Sequence, residues 1–131
     1  MSRAPRVLVV DDQAFLRTEI RCALEDMGLE VVGEAGDGLE AVTMAADLRP
    51  DVVLMDVKMP VLDGLEATRR LRKLPGVSVI LFSAYDDASL RQAAHEAGAS
   101  SYLVKGCAGS LIVEAIVQAA GTIGVAERDV T

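Results

Sequence analysis

Residues Asp51 to Pro60 read DVVLMDVKMP, and the fold follows from how this stretch is parsed. Val52, Val53, Leu54 and Met55 form a short continuous apolar run of the kind a strand needs when both its faces are covered. Asp56 ends the run. In an open parallel sheet the carboxyl end of a central strand is where ligand chemistry is placed, so Asp56 stands at a position with chemical potential. Pro60 and Asp63-Gly64 then mark a loop before the next helix.

Working back toward the N-terminus, Ala41, Val42, Ala45 and Leu48 recur at helical spacing and are closed by Pro50. Before them, Glu30 to Ala35 is a weaker strand with Val31 and Val32 between acidic residues, as an edge strand that discourages further pairing would show. Leu16, Ile20, Ala23, Leu24 and Met27 predict an amphipathic helix from Gln13 onward, with Gly28 as its C′ residue. The first strand, Val7 to Val10, runs directly into Asp11-Asp12.

Toward the C-terminus, Leu65, Thr68 and Leu71 space a third helix whose outer face carries Arg69, Arg70, Arg72 and Lys73. That basic run reads as a solvated face. Val77 to Phe82 is a fourth strand leading into Ser83-Ala84-Tyr85. Asp86 and Asp87 are placed to cap a fourth helix, where Leu90, Ala93, Ala94 and Ala97 make only a shallow apolar stripe. Such a helix is lightly anchored and suits an element that shifts at low cost. Ser101 to Val104 forms a last strand ending at Lys105-Gly106, and Ile112, Ala115, Ile116 and Ala119 face a fifth helix inward. Gly121 is read as its end, so residues 1–121 form one domain and 122–131 a tail or the start of a linker.

Five strands alternating with five helices through short turns require right-handed crossovers and a parallel sheet covered on both faces. The expected class is α/β, a (βα)5 doubly wound five-stranded sheet of flavodoxin-like order 2-1-3-4-5. Strands one and three are then neighbours. Asp11, Asp12 and Asp56 converge at one end of the sheet, with Ser83 and Lys105 on the same rim.

The totals agree with a single well-filled domain. Of 131 residues, 51% are hydrophobic, yet there are only two Phe, two Tyr and no Trp, so aliphatic residues and Ala must fill the core. A net charge of −7 repels a phosphate backbone and argues against direct nucleic-acid binding by this domain. Cys22 and Cys107 make no CxxC pattern, so neither a disulfide framework nor a zinc site is signalled. No segment reads as a signal peptide or a membrane span, and a cytoplasmic setting is expected.

Three gathered carboxylates are mutually unfavourable, since two unit charges about 4 Å apart repel by roughly 4 kcal/mol at an effective dielectric near 20. A hard cation relieves this. Oxygen-only ligands point to Mg²⁺ or Mn²⁺, and Mg²⁺ commonly shares its shell with a phosphate. Lys105 can neutralise a phosphoryl oxygen, Ser83 can donate to another, and Asp56 can attack phosphorus to become an acyl phosphate. Because a carboxylate is already ionised at neutral pH, no general base is needed.

With VVDD, MDVKMPVLDG, FSA and YLVKG in order, each at a strand end, the chain resembles the receiver domain of a two-component response regulator, nearest the NarL/LuxR-type class. The likeness runs from Arg6 to about Ala120. It implies that Asp56 is phosphorylated by a histidine kinase or a small acyl phosphate, that Asp12, Asp56 and the Lys58 backbone carbonyl ligate Mg²⁺, and that Asp11 acts through water. It also implies that Lys105 holds the phosphoryl group and that Ser83 and Tyr102 form a switch pair altering the face of helix four, strand five and helix five. A phosphorylation-promoted homodimer and an attached or separate DNA-binding output are expected from the same likeness. Two positions depart from the family's habit: Ser83 replaces the commoner Thr, and Gly106 replaces Pro, which removes the usual reason for a cis peptide after Lys105.

Two other classes are weighed. A phosphohydrolase of the haloacid-dehalogenase type has an Asp nucleophile, but it carries DxD where this chain has adjacent Asp11-Asp12. A pure interaction module with a vestigial site conflicts with the intact acidic cluster and Lys105. Lys58 and Tyr85 are expected to flank the site and to obstruct the water that would hydrolyse an acyl phosphate. His95 reads as a helix-surface residue and Cys107 as a small loop thiol.

Overall fold

The structure, a computed structural model, describes residues 4–130, the side chains of 122–130 excepted. Five strands and five helices alternate: β1 (Arg6–Val10), α1 (Ala14–Asp26), β2 (Glu30–Ala35), α2 (Gly38–Leu48), β3 (Val52–Asp56), α3 (Gly64–Leu71), β4 (Ser78–Ser83), α4 (Ala88–Ala97), β5 (Ser101–Val104) and α5 (Gly109–Val130). The strands make one parallel sheet in the order β2-β1-β3-β4-β5, the doubly wound arrangement expected.

Burial follows centrality. Every residue of β3 is buried, whereas all four residues of β5 and most of β2 are only partly covered, as edge strands must be. The register of β2 on β1 slips between Val7 and Leu8, a bulge that twists the edge and blunts further pairing. Alternation along the strands sorts the core into two layers. Leu8, Val10, Val53, Met55, Val79 and Leu81 pack under α2, α3 and α4, while Val7, Val9, Val52, Leu54, Ile80 and Phe82 pack with Leu24 of α1 and Ile116 of α5. By the same parity Ser83 and Tyr102 belong to the α4 side, and Asp56 to the side of α1 and α5.

Local chemistry sets the helix ends. Asp37, Asp63 and Asp87 each cap a helix, accepting from the N–H of Glu40, Glu66 and Leu90. Gly98 closes α4 in the left-handed region. At Gly64 a side chain would collide with the Asp56 carbonyl, so only glycine lets the start of α3 lie against the end of β3.

Three expectations are corrected in detail. Helix α5 does not stop at Gly121, because an interior glycine costs a helix only about 1 kcal/mol against alanine and leaves its ladder intact, and the helix runs on through Gly124 as well. Met27 is 52% exposed rather than inward, since α1 is seated chiefly by Leu24 and the Met27 side chain lies over the start of α5, its terminal methyl 3.6 Å from where a Cβ on Gly109 would stand. Arg72 is not a freely solvated member of the basic run: its guanidinium reaches the carbonyls of Glu96 and Ala97 and helps close the C-terminus of α4. Arg69 and Arg70 do lie on an exposed face, paired with Glu66.

Candidate phosphoacceptor site

The sheet order delivers the acidic cluster. β1 and β3 pair in parallel with Val10 opposite Met55, so the next residue of each strand, Asp11 and Asp56, emerges at the same rim. Asp11, Asp12 and Asp56 each offer a carboxylate oxygen, and these oxygens lie within 4.8 Å of one another. Asp11 is wholly buried, Asp56 is nearly so, and Asp12 is exposed at the mouth.

Lys105, one residue past β5, crosses the rim to reach both buried carboxylates. Its Nζ lies 3.1 Å from Asp11 Oδ2 and 3.2 Å from Asp56 Oδ2, with the Phe82 ring beneath it at 5.2 Å. Burial pushes the Asp56 carboxyl above its ordinary value, the neighbouring Asp11 charge adds to this, and Lys105 and the Lys58 backbone N–H offset only part. For Lys105 burial works the other way, yet the hydrogen bond from its ammonium to Asp11 and the charges of Asp56 and Asp11 outweigh it and hold the ammonium above its ordinary range. The pocket therefore keeps a cation and resists one of its own anions, an imbalance that a further cation would correct.

The donor set fits a hard divalent ion: three carboxylates, no nitrogen or sulfur ligand, and one open side at Asp12. Asp11 is already engaged at both oxygens, Oδ1 accepting from the Gln13 N–H at 2.9 Å and Oδ2 from Lys105. Asp12 and Asp56 have the freer oxygens.

Ser83 is the last residue of β4, buried one strand over from Asp56, and its Oγ accepts from the Tyr85 N–H at 3.2 Å. Tyr102 lies on β5 with its ring against the α4-side core, and its hydroxyl donates to the Tyr85 carbonyl at 2.7 Å. Lys58 and Tyr85 do meet at the rim, the ammonium 5.1 Å from the ring centroid. Gly106 has φ +91° and the Cys107 N–H bonds to the Val104 carbonyl at 3.1 Å, so the residue after Lys105 is the φ-positive corner of a turn that proline could not occupy. Among the described residues no peptide is cis.

Several contributors were not legible beforehand. Arg17 of α1 donates to the Asp11 carbonyl at 2.6 Å while pairing with Glu34 of β2, and Arg21 pairs with the same carboxylate. Their i, i+4 spacing was visible, but the acceptors belong to other strands. In the β3–α3 loop the Leu62 N–H bonds to the Pro60 carbonyl at 2.7 Å around Val61 at φ +70°, a γ-turn in which a β-branched residue takes the left-handed region.

The family model of the response regulator receiver domain matches residues 7–117. The chain is 46% identical over 113 residues to the response regulator GacA of Pseudomonas viridiflava, covering 85% of this chain and 53% of that protein. It is 40% identical over 111 residues to the transcriptional regulatory protein PdtaR of Mycobacterium tuberculosis, covering 85% and 54%. The chain thus spans about half the length of these curated relatives. Its fold superposes on the signal receiver domain of the putative response regulator NarL from Mycobacterium tuberculosis with a TM-score of 0.87 at 34% identity, covering 92% of this chain and 98% of that one. Among the described residues no helix is long and apolar enough to cross a membrane.

Proposed function

This chain belongs to the response regulator receiver family of two-component signalling, and on that premise we propose that it is a phosphorylation-controlled switch whose phosphoacceptor is Asp56. The observation that carries the reading is the convergence of Asp11, Asp12 and Asp56 on one rim with the Lys105 ammonium between two of them. In the reaction, an Asp56 carboxylate oxygen attacks the phosphorus of a kinase phosphohistidine or a small acyl phosphate. A phosphorus–oxygen bond forms as the bond to the donor atom breaks, and the bonding pair leaves with the donor. Lys105 then stands within reach of a phosphoryl oxygen, and Ser83, whose Oγ accepts from Tyr85, keeps its own proton to donate to another.

Asp12 and Asp56, with the Lys58 backbone carbonyl, would hold Mg²⁺ or Mn²⁺, and Asp11, saturated by Gln13 and Lys105, would act through water. When bound, the ion supplies charge neutralisation on the phosphoryl oxygens during transfer. Ser83 and Tyr102 would relay the event to the face of α4, β5 and α5, which a partner reads and on which two phosphorylated copies would pair. The domain is a signalling module that assists its own phosphotransfer and turns over no outside substrate. The likeness to a transcriptional regulatory protein supports a role in the control of transcription, and we take the setting to be cytoplasmic and the output to be DNA-binding, attached or separate. The histidine kinase is the expected donor.

A melting series with added Mg²⁺ tests the site. Saturating Mg²⁺ raises the melting temperature by an amount that grows with its logarithm, as binding to the native state alone requires. Asp12→Asn and Asp56→Asn remove that rise. An equal rise in all three proteins would refute the assignment.

A further inference from the structure

We infer that Arg91 is a positioning residue that latches Tyr102 in the conformation able to support a phosphoryl group at Asp56. The inference rests on the functional reading above. Arg91 stands in the first turn of α4, and its guanidinium carbon lies 5.0 Å from the centroid of the Tyr102 ring. The guanidinium is itself braced, with Nε and Nη2 each 2.9 Å from Asp86 Oδ1 in the preceding loop. One side chain of α4 thereby clasps a ring of β5 and a carboxylate of the β4–α4 loop.

The clasped ring is one end of a directed chain of hydrogen bonds. The Tyr102 hydroxyl donates to the Tyr85 carbonyl, and the Tyr85 N–H donates to Ser83 Oγ, leaving the Ser83 proton to point onward. In this relay Tyr85 joins Ser83 and Tyr102 through its two backbone groups. The Tyr85 carbonyl and N–H belong to adjacent peptide units joined at one Cα, so the coupling runs through backbone geometry: seating the ring fixes the carbonyl, restrains the turn that carries the N–H, and favours the loop geometry in which Ser83 can donate to a phosphoryl oxygen. By reciprocity, whatever holds the ring seated tightens binding of a phosphoryl group at Asp56, and removing it loosens that binding by the same factor. The stack of Arg91 on the ring is partly exposed, which sets the size of the effect at about threefold to tenfold.

The test uses fluorotyrosine-labelled protein, in which the two tyrosines give two fluorine resonances assigned with Tyr85→Phe. Beryllium fluoride is titrated in the presence of Mg²⁺ as a phosphoryl mimic. Arg91→Ala is expected to need about threefold to tenfold more beryllium fluoride for half-saturation and to shift the Tyr102 resonance before any is added. Arg91→Lys, which keeps the charge but loses the planar stack, should fall between. Asp86→Ala should act in the same direction, and the double variant should be no weaker than Arg91→Ala alone, as expected when both residues serve one contact. Equal half-saturation for the parent protein and Arg91→Ala, or an unmoved Tyr102 resonance, overturns the latch while leaving the phosphoacceptor reading intact. A parent protein with no saturable response overturns that reading and the latch together.

Discussion

Lys105 and Asp56 stand 3.2 Å apart at the ends of strands separated in the sheet by β4, and the same ammonium also neutralises the fully buried Asp11. Removing one partner of such a group leaves a buried charge uncompensated. Lys105→Met is expected to destabilise the domain by about 2 kcal/mol at neutral pH. The raised Lys105 value fixes the pH sense: its contribution is fully present below the ordinary lysine value of 10.5 and is lost as the pH climbs through the higher folded value. Urea unfolding of parent and variant from neutral to strongly alkaline pH should show the gap closing only at the alkaline end.

Asp56 carries the opposite sign. Burial raises its folded value, so ionised Asp56 weighs against the native state at neutral pH, and that cost disappears as the pH falls through the folded value toward the ordinary 3.8. Asp56→Asn should therefore unfold at a higher urea concentration than the parent at pH 7, with the advantage shrinking in acid. A lower midpoint at pH 7 would mean that the Lys105 contact outweighs burial.

Glu34 is held below the ordinary carboxylate range first by its hydrogen bond from Arg21, then by Arg17, against the opposing effect of burial. Its contribution is present above the ordinary value of 4.5 and is lost as the pH falls through the lower folded value. Glu34→Gln should lower the melting temperature by a few degrees at pH 7 and by less in acid. Because Arg17 also holds the Asp11 carbonyl, the variant should show faster amide exchange at Asp12 and Gln13.

Val61 has φ +70° and is 76% exposed, so it carries backbone strain with little packing in return. Replacing it by glycine should stabilise the domain by about 1 kcal/mol, the strain relieved exceeding the added freedom of the unfolded chain. Chemical denaturation measures this directly, and an unchanged or lower stability would show that the γ-turn costs nothing.

Tyr85→Ala is expected to shorten the lifetime of phosphorylated Asp56, on the expectation that the Tyr85 ring, with the Lys58 ammonium 5.1 Å from its centroid, obstructs the water that would attack the acyl phosphate. Release of labelled phosphate at an unchanged rate would remove that role.

The parts of this fold that could be read from the chain were those written in local pattern. Apolar runs such as Val7 to Val10 and Val52 to Met55 declare buried strands, and the sheet order then follows from chain connectivity, which carries Asp11, Asp12, Asp56, Ser83 and Lys105 to one rim. What stayed hidden depends on partners distant in sequence. Nothing beside Arg17 says that it will meet Glu34 and the Asp11 carbonyl, and nothing near Arg91 says that it will cover Tyr102. Arg72 looked like one more member of a solvated run until α4 was placed beside it. Glycine punctuation was ambiguous for the same reason: Gly98 ends a helix and Gly121 does not, although both follow an apolar helical stripe.

The central claim, that the gathered carboxylates exist to accept a phosphoryl group on Asp56, is tested most directly by incubating the protein with acetyl phosphate and Mg²⁺ and locating any adduct by peptide mass spectrometry. One phosphoryl group on Asp56, absent from Asp56→Asn and from protein treated with a chelator, is the predicted result. No adduct in the parent protein, or an adduct on any other residue, would contradict it.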